Sequence, residues 1–281
     1  MLLMGKPVAD KIKEEILKTV RDLRNAGKDN PGLAILRVGE REDDIAYESS
    51  ILKNCATVGI DVEVVQIDND IDMASFLDVI EKYNNELNIQ GILIFRPLPE
   101  QLDIKKISKA IKPEKDIDCM NPMNMEKVFE GDTSGILPCT PEAVIEILKY
   151  YQYDLTGKNV AIVNRSMVLG RPLSMLFLNE NATVTICHSK TIDLPGVTSK
   201  ADIVITGAGK GNYFGTQYFS EKAVVIDVGI NFENGSLCGD VDFDSVSEQV
   251  TAITPVPGGV GTVTSMILLK NVINAMKLQS N

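Results

Sequence analysis

Two residues of the stretch AYESSILKNC (46–55) could do proton chemistry, Tyr47 and Lys53. A phenol beside an amine of lowered pKa suits general acid–base work. On a helix, side chains share a face at three or four positions, and Lys53 follows Tyr47 by six. A second candidate is VNRSMVLGRP (163–172), which follows an apolar strand and opens a helix, the context of a dinucleotide phosphate loop. It holds Gly170 alone where such loops read G-x-G-x-x-G, so an ordinary βα loop fits the same text. The next apolar strand ends in His188, Ser189, Lys190 and Thr191, with no acid before Asp193. A carboxylate there would bind the ribose hydroxyls of NAD, whereas hydroxyls and cations, joined by Arg165 and Ser166, suit the 2′-phosphate of NADP. A solvated strand end is the plainer alternative. His188 is the only histidine, and one histidine does not make a triad. Finally, PVPGGVGTVT (255–264) places three glycines before a helix, which lets backbone amides approach a ligand closely.

The elements that hold these residues follow from apolar periodicity. Ile12, Ile16, Leu17, Val20 and Leu23 fall at helical spacing over residues 8–24. Residues 25–32 read as a turn and LAILRV (33–38) as a buried strand. A helix over 43–58 carries Tyr47, with Gly59 at C′. Residues 62–67 alternate as a strand, Met73–Asn85 is helical, and GILIF (91–95) is a buried strand stopped by Pro97 and Pro99. Residues 112–141 contain four prolines and little periodicity, and read as loops crossing between domains. A helix over 141–151 leads into a second series: strands Asn159–Val163, Thr183–Cys187, Ile203–Thr206 and Val224–Asp227, with a helix from Gly170 and a last helix over 264–278. This rhythm predicts an α/β chain with mostly parallel sheets and a nucleotide-binding second half.

The 281 residues suffice for two domains. With 44% hydrophobic residues and no tryptophan, aliphatic side chains must fill the cores. A formal charge of −11 argues against nucleic acid and anionic membrane as partners, since both reward clustered Lys and Arg. A small anionic ligand needs only a few local cations. No apolar run approaches the roughly 20 residues of a membrane span, and the first residues lack the apolar stretch of a signal peptide. Five widely spaced cysteines without a C-x-x-C pair read as reduced thiols of a cytoplasmic protein and not as a metal site.

Longer segments carry a resemblance. Val38-Gly39, Tyr47 with Cys55 and Gly59-Ile60, GIL with PLP (91–99), PEKDID (113–118), PCTP (138–141), NRSMVLGRP, ATVTICHSKT (182–191), VIDVGIN (225–231), GDVDF and TPVPGGVG keep their order and spacing. In these the chain resembles the methylenetetrahydrofolate dehydrogenase/cyclohydrolase family over nearly its whole length. The resemblance implies two three-layer α/β domains with a cleft between them. One is a folate-binding catalytic domain, residues 1–140 completed by a C-terminal helix 264–281. The other is a Rossmann-type NAD(P)-binding domain, residues 141–263. It implies oxidation of 5,10-methylenetetrahydrofolate to the 5,10-methenyl form by hydride transfer to NADP, or NAD, then ring opening by water to 10-formyltetrahydrofolate, in a homodimer. Carried over by position, it implies Tyr47 and Asp118 as catalytic and substrate-contacting residues, and Pro257, Gly258 and Gly259 as further substrate contacts. It implies Asn164, Arg165, Ser166, His188, Ser189, Gly209 and Ile230 as cofactor contacts.

Some positions depart from the family pattern. The pattern has a lysine four residues after the tyrosine, one helical turn on, and here that residue is Ile51. Lys53, two positions further, swings by about 200° and is expected in solvent. Where GILVQLPLP has a glutamine that supports the lysine, this chain has Phe95, followed by Arg96. Cys119 replaces the glycine after Asp118, Asn164 the glycine of GRS, and Thr262 the proline after PGGVG. Hydride transfer needs reactants held close and in line, and the cofactor carries its chemistry. Ring opening needs water activation and proton transfer, which isoleucine and phenylalanine cannot supply. The expectation is a dehydrogenase whose cyclohydrolase activity is in doubt. Two alternatives stand beside it: a bifunctional enzyme in which Arg96 or Lys53 replaces the lysine, and a folate- or dinucleotide-binding protein without turnover.

Overall fold

The computed structural model describes residues 1–233 and 235–280. They form two compact units: Met1–Asp10 with Pro138–Thr264, and Lys11–Leu137 with the chain from Ser265 onward.

The first half of the chain runs α1 (Gly5–Asn25), β1 (Gly32–Val38), α2 (Glu42–Val58), β2 (Asp61–Ile67), α3 (Met73–Asn85), β3 (Gly91–Ile94), α4 (Ile104–Ala110) and α5 (Pro122–Glu130). Its sheet has the order β2-β1-β3, with β1 parallel to both neighbours. Central β1 is buried at all seven residues, which is why GLAILRV is almost wholly apolar. Ala34, Leu36, Phe76, Ile80, Ile92 and Ile107 share one core cluster there. Helix α2 opens with three acids, Glu42, Asp43 and Asp44, which complement the positive helix end. It stops at Gly59, whose φ of 80° is the left-handed conformation that glycine adopts freely.

The second half runs α6 (Cys139–Tyr150), β4 (Asn159–Val163), α7 (Gly170–Asn179), β5 (Thr183–Cys187), α8 (Leu194–Thr198), β6 (Ile203–Thr206), β7 (Val224–Asp227), β8 (Asn231–Glu233), β9 (Ser236–Cys238), α9 (Phe243–Gln249), β10 (Ala252–Ile253) and α10 (Val260–Leu278). Its five-stranded parallel sheet has the order β10-β7-β6-β4-β5. From β4 the chain goes first to β5 on one side and then to β6 on the other. Strand order reverses at that point, the place where open α/β sheets bind ligands outside the carboxyl ends of their strands.

Three expectations need correction. Residues 112–141 are not merely loops, because they contain α5 and the start of α6. Asn121 caps α5 by accepting from Met123 N–H at 2.8 Å, Pro122 sits in the first turn, and Gly131 closes the helix at φ 81°. Proline is tolerated in a first turn because the amides there have no intrahelical partner. The same reasoning starts α6 at Cys139 with Pro141 inside its first turn, and α10 starts at Val260, four residues before the expected 264. The first ten residues, expected with the folate-binding half, pack with the nucleotide-binding unit. Leu3 N–H donates to Ile253 O at 2.9 Å and Ile253 N–H to Met1 O at 3.0 Å, so the N-terminus lines the outer edge of β10.

Candidate functional site

A buried ion pair holds α2 against β1. Arg37 Nε donates to Glu48 Oε2 at 2.7 Å and Arg37 Nη1 to the Gly39 carbonyl at 2.5 Å. The two side chains are only 4% and 12% exposed. Removing one member of such a pair strands the other charge out of water. Glu48→Ala is therefore expected to lower stability by about 3–5 kcal/mol in urea denaturation. A loss below about 1 kcal/mol, the range of a solvated pair, would mean that the guanidinium is not held dry.

On this braced helix Tyr47 is half exposed, and its ring lies 5.3 Å from that of Phe95 at an interplanar angle of 39°. Ile51 is buried at 2% exposure, on a stripe with Glu48, Cys55 and Val58. Lys53 is exposed, as expected from its place two residues beyond Ile51. Cys55, one turn beyond Ile51, has its thiol pushed up to about 12 by burial, which makes it inert. Phe95 extends from β3, donating its N–H to Leu36 O at 3.2 Å, and Arg96 follows it.

Asp118 reaches this neighbourhood through the backbone. A parallel bridge between Ile92 and Asp116 lays the PEKDID segment beside β3. Asp116 is a structural acid: it accepts from Met120 N–H at 2.9 Å, Asn121 N–H at 2.7 Å and Asn124 Nδ2 at 3.0 Å. Burial pushes its carboxyl up, against these hydrogen bonds. Lys115 is buried too, donating to the carbonyls of Tyr83 at 2.9 Å and Glu86 at 2.7 Å at the end of α3. From α10, Asn271 Nδ2 donates to Ile117 O at 3.1 Å and Leu137 O at 3.0 Å. Cys119 takes φ 55°, which explains physically why a glycine is the family's residue there. The turn so built leaves Asp118 partly exposed, and Arg96 Nη2 donates to its Oδ2 at 2.5 Å. Phe95 touches Tyr47 and its neighbour Arg96 holds Asp118, so the residues come together as one cluster. Sequence reading did not pair Arg96 with Asp118. Its one signal was an arginine beside the lost glutamine.

In the other unit, the loop after β4 is organised by Asn164. Its Oδ1 accepts from Ser166 N–H at 2.8 Å, Ser166 Oγ at 2.8 Å and Gly170 N–H at 3.0 Å. Its Nδ2 donates to Gly207 O at 2.6 Å, joining the loops after β4 and β6 across the switch point. Gly170 is obligatory there, since a Cβ would lie 2.0 Å from the Asn164 carbonyl oxygen. Arg165 and Ser166 are exposed, as are Ser189, Lys190, Gly209 and Ile230, while His188 is half-buried. His188 Nδ1 accepts from Lys190 N–H at 3.1 Å, and His188 N–H donates to Thr191 Oγ1 at 2.8 Å. Asp193 accepts from Gly196 N–H at 3.1 Å as the cap of α8. A side chain built on Gly209, at φ 67°, would meet nothing within 4 Å. These loops fit a dinucleotide: open space at Gly209, one guanidinium, hydroxyls, and an acid turned to a cap. The glycines of PVPGGVG have structural duties as well. Gly258 takes φ 103°, and a Cβ on Gly259 would lie 2.4 Å from Pro255 O.

Asp227, at the end of β7, is 3% exposed. Burial pushes its carboxyl up to about 6, while N–H groups of Val241, Gly229 and Asp240 pull it down and the Asp240 charge adds to the rise. A folded-state value above the unfolded value, about 3.9, adds stability that is complete below pH 4 and lost as pH rises through 6. Two units amount to about 3 kcal/mol. The destabilisation caused by Asp227→Asn should therefore shrink by up to about that amount between pH 4 and pH 7 in urea denaturation. A pH-independent difference would contradict it.

A parallel sheet with a strand-order switch point in one unit, and in the other a Tyr47–Phe95–Arg96–Asp118 cluster, define a two-unit nucleotide-dependent enzyme class. The chain belongs to the tetrahydrofolate dehydrogenase/cyclohydrolase family: residues 3–118 match its catalytic domain and residues 138–280 its NAD(P)-binding domain. It is 54% identical to a Clostridium botulinum (strain Okra / Type B1) protein named bifunctional protein FolD, over 99% of both chains. It is similar to the crystal structure of the bifunctional FolD of Campylobacter jejuni, with a TM-score of 0.96 and 38% identity over 99% of both chains. A Trypanosoma brucei methylenetetrahydrofolate dehydrogenase-cyclohydrolase, solved with NADP cofactor and inhibitor, gives a TM-score of 0.94 at 32% identity, over 100% of this chain and 98% of that one. Among the described residues no helix is long and apolar enough to cross a membrane, and no group of His, Cys, Asp and Glu could hold a metal.

Proposed function

We propose that the chain oxidises 5,10-methylenetetrahydrofolate to 5,10-methenyltetrahydrofolate, with NADP as hydride acceptor in preference to NAD, and opens the methenyl ring weakly or not at all. The observation that carries the reading is the tilted Tyr47–Phe95 ring contact and the buried Ile51, together with the Arg96–Asp118 pair. Asp118 is the carboxylate that would meet the pterin nitrogens, and Arg96 orients it. Tyr47 supplies an exposed phenol to the same ligand. The bound dinucleotide supplies the hydride acceptor. For oxidation, this chain's residues need only hold the substrate still and dry.

Ring opening asks more. Water must add to the methenyl carbon and give up both protons as the formyl carbonyl forms, one ring carbon–nitrogen bond must break, and the freed nitrogen must take one of those protons while the other leaves to solvent. Lys53 is exposed and stands two positions, about 200°, beyond Ile51, and Ile51 and Phe95 carry no titratable group. Arg96 presents only N–H donors and no acceptor, so it can stabilise an anion but offers nowhere for the proton to go. Preference for NADP is supported by the end of β5, where Asp193 is committed to Gly196 and Arg165, Ser166, Ser189 and Lys190 stand exposed. The second reading, a bifunctional enzyme using Arg96, is favoured by the names of the relatives. We also take the active form to be a homodimer. Edge strand β5, with Ile186 at 38% exposure, and Leu178 of α7 at 58% support this, and light scattering of the purified protein tests it.

Two assays on one preparation separate the readings. NADP⁺ reduction with methylenetetrahydrofolate should be robust, and decay of methenyltetrahydrofolate absorbance should match the spontaneous rate. Hydrolysis at a rate comparable with oxidation would give the site to the bifunctional reading.

A further inference from the structure

Two carboxylates in the nucleotide-binding unit are buried among donors and have no part in the chemistry above. Asp240 is 0% exposed. It accepts from three successive backbone N–H groups: Ala208, Gly209 at 3.1 Å and Lys210 at 2.9 Å. A fourth donor is Asn231 Nδ2 at 2.9 Å. Three successive amides on one anion form a concavity of the kind that elsewhere holds a phosphate. Here the protein's own side chain fills it. Asp227 holds Asp240 in turn, accepting from Asp240 N–H at 3.2 Å, Val241 N–H at 2.9 Å, Gly229 N–H at 3.0 Å and Thr206 Oγ1 at 3.0 Å.

The glycines around them exist for this arrangement. A Cβ on Gly229 would lie 2.4 Å from the Asp240 carboxyl, and one on Gly239 would lie 2.0 Å from Asp227 Oδ2. Each acid therefore reaches a loop at the carboxyl end of the sheet, 207–210 after β6 and 228–231 after β7. Those loops carry Gly209 and Ile230, both exposed.

We propose that Asp240 is a positioning residue for the dinucleotide: it holds the amides of 208–210 and the side chain of Asn231, and so sets Gly209 and Ile230 against the cofactor. This rests on the reading of those two loops as cofactor-binding. Asp240 touches the backbone of the loops and acts through them.

Asp240→Asn keeps the shape but turns one acceptor oxygen into a donor facing an N–H. It should raise the KM for NADP⁺ about tenfold or more, while the KM for methylenetetrahydrofolate moves by less than about twofold. A general loss of structure would move both. Asn231→Ala, which removes one partner from a partly exposed position, should raise the NADP⁺ KM by about threefold with an unchanged melting temperature. NADP⁺ binding to the unaltered protein is measured first by calorimetry. If that protein neither binds nor reduces NADP⁺, the cofactor reading fails and the assignment falls with it. If it binds and a folded Asp240→Asn binds equally well, the assignment alone is overturned. Should Asp240→Asn not fold, Asn231→Ala decides, and an unchanged NADP⁺ KM in that variant overturns the proposal.

Discussion

Ile51→Lys combined with Phe95→Gln is expected to raise methenyltetrahydrofolate hydrolysis by about a hundredfold or more over the unaltered chain, the usual worth of one general acid–base group. The two positions must change together. Ile51 is 2% exposed and Phe95 5% exposed. A lone ammonium placed at Ile51 would be buried without a partner and longer than the side chain it replaces, so Ile51→Lys by itself should mainly destabilise. Phe95→Gln removes the ring that packs on Tyr47 at 5.3 Å, frees volume and supplies an amide acceptor. Partial burial would then lower the amine's pKa toward the working range, which a proton acceptor needs. Absorbance decay of the methenyl compound, corrected for the spontaneous rate, measures the gain. A folded double variant that still reduces NADP⁺ yet hydrolyses no faster than before would show that the two substitutions are not what limits ring opening.

Asp118→Asn is expected to lower kcat/KM for the oxidation by about a hundredfold, equivalent to nearly 3 kcal/mol at 1.36 kcal/mol per decade. The carboxylate offers acceptors to Arg96 at 2.5 Å and, in the proposed reaction, to the pterin nitrogens. An amide turns one of those acceptors into a donor, so donors face donors at either the guanidinium or the ligand. Stability should change by less than about 1 kcal/mol, since both partners of the pair are partly solvated. Arg96→Ala should cost less, about tenfold, because the carboxylate keeps its charge and loses only its orientation. An Asp118→Asn variant with near-normal turnover would remove Asp118 from the reaction.

Much of the fold could be read from local text. Strands such as GLAILRV and GILI announce themselves because a strand buried on both faces must be apolar throughout. Helix α3 matches the expected Met73–Asn85 to the residue, and the structure shows Asp72 as its cap. The error over 112–141 came from counting prolines without weighing their positions. Asn121-Pro122 with Gly131 nine residues later is a cap, a first turn and a stop. The two-residue β10 and the N-terminal segment beside it were illegible, because pairing along a sheet edge leaves no periodicity in so few residues.

At the candidate site the division is sharper. That Lys53 turns to solvent follows from about 100° per residue along a helix, and its exposure agrees. The oddity of Ile51 and Phe95 was likewise visible as text. Their company was not. Arg96 meets Asp118 across 22 residues, and Asp240 meets the 208–210 amides across 30 to 32. Local sequence specifies which groups a segment can offer and which way a helix or strand turns them, because those are matters of bond geometry within a few residues. Which offered groups meet depends on strand order and on close approaches such as Gly229 against Asp240. Only the packed chain selects these, since burial makes an unpaired acid too costly to leave alone.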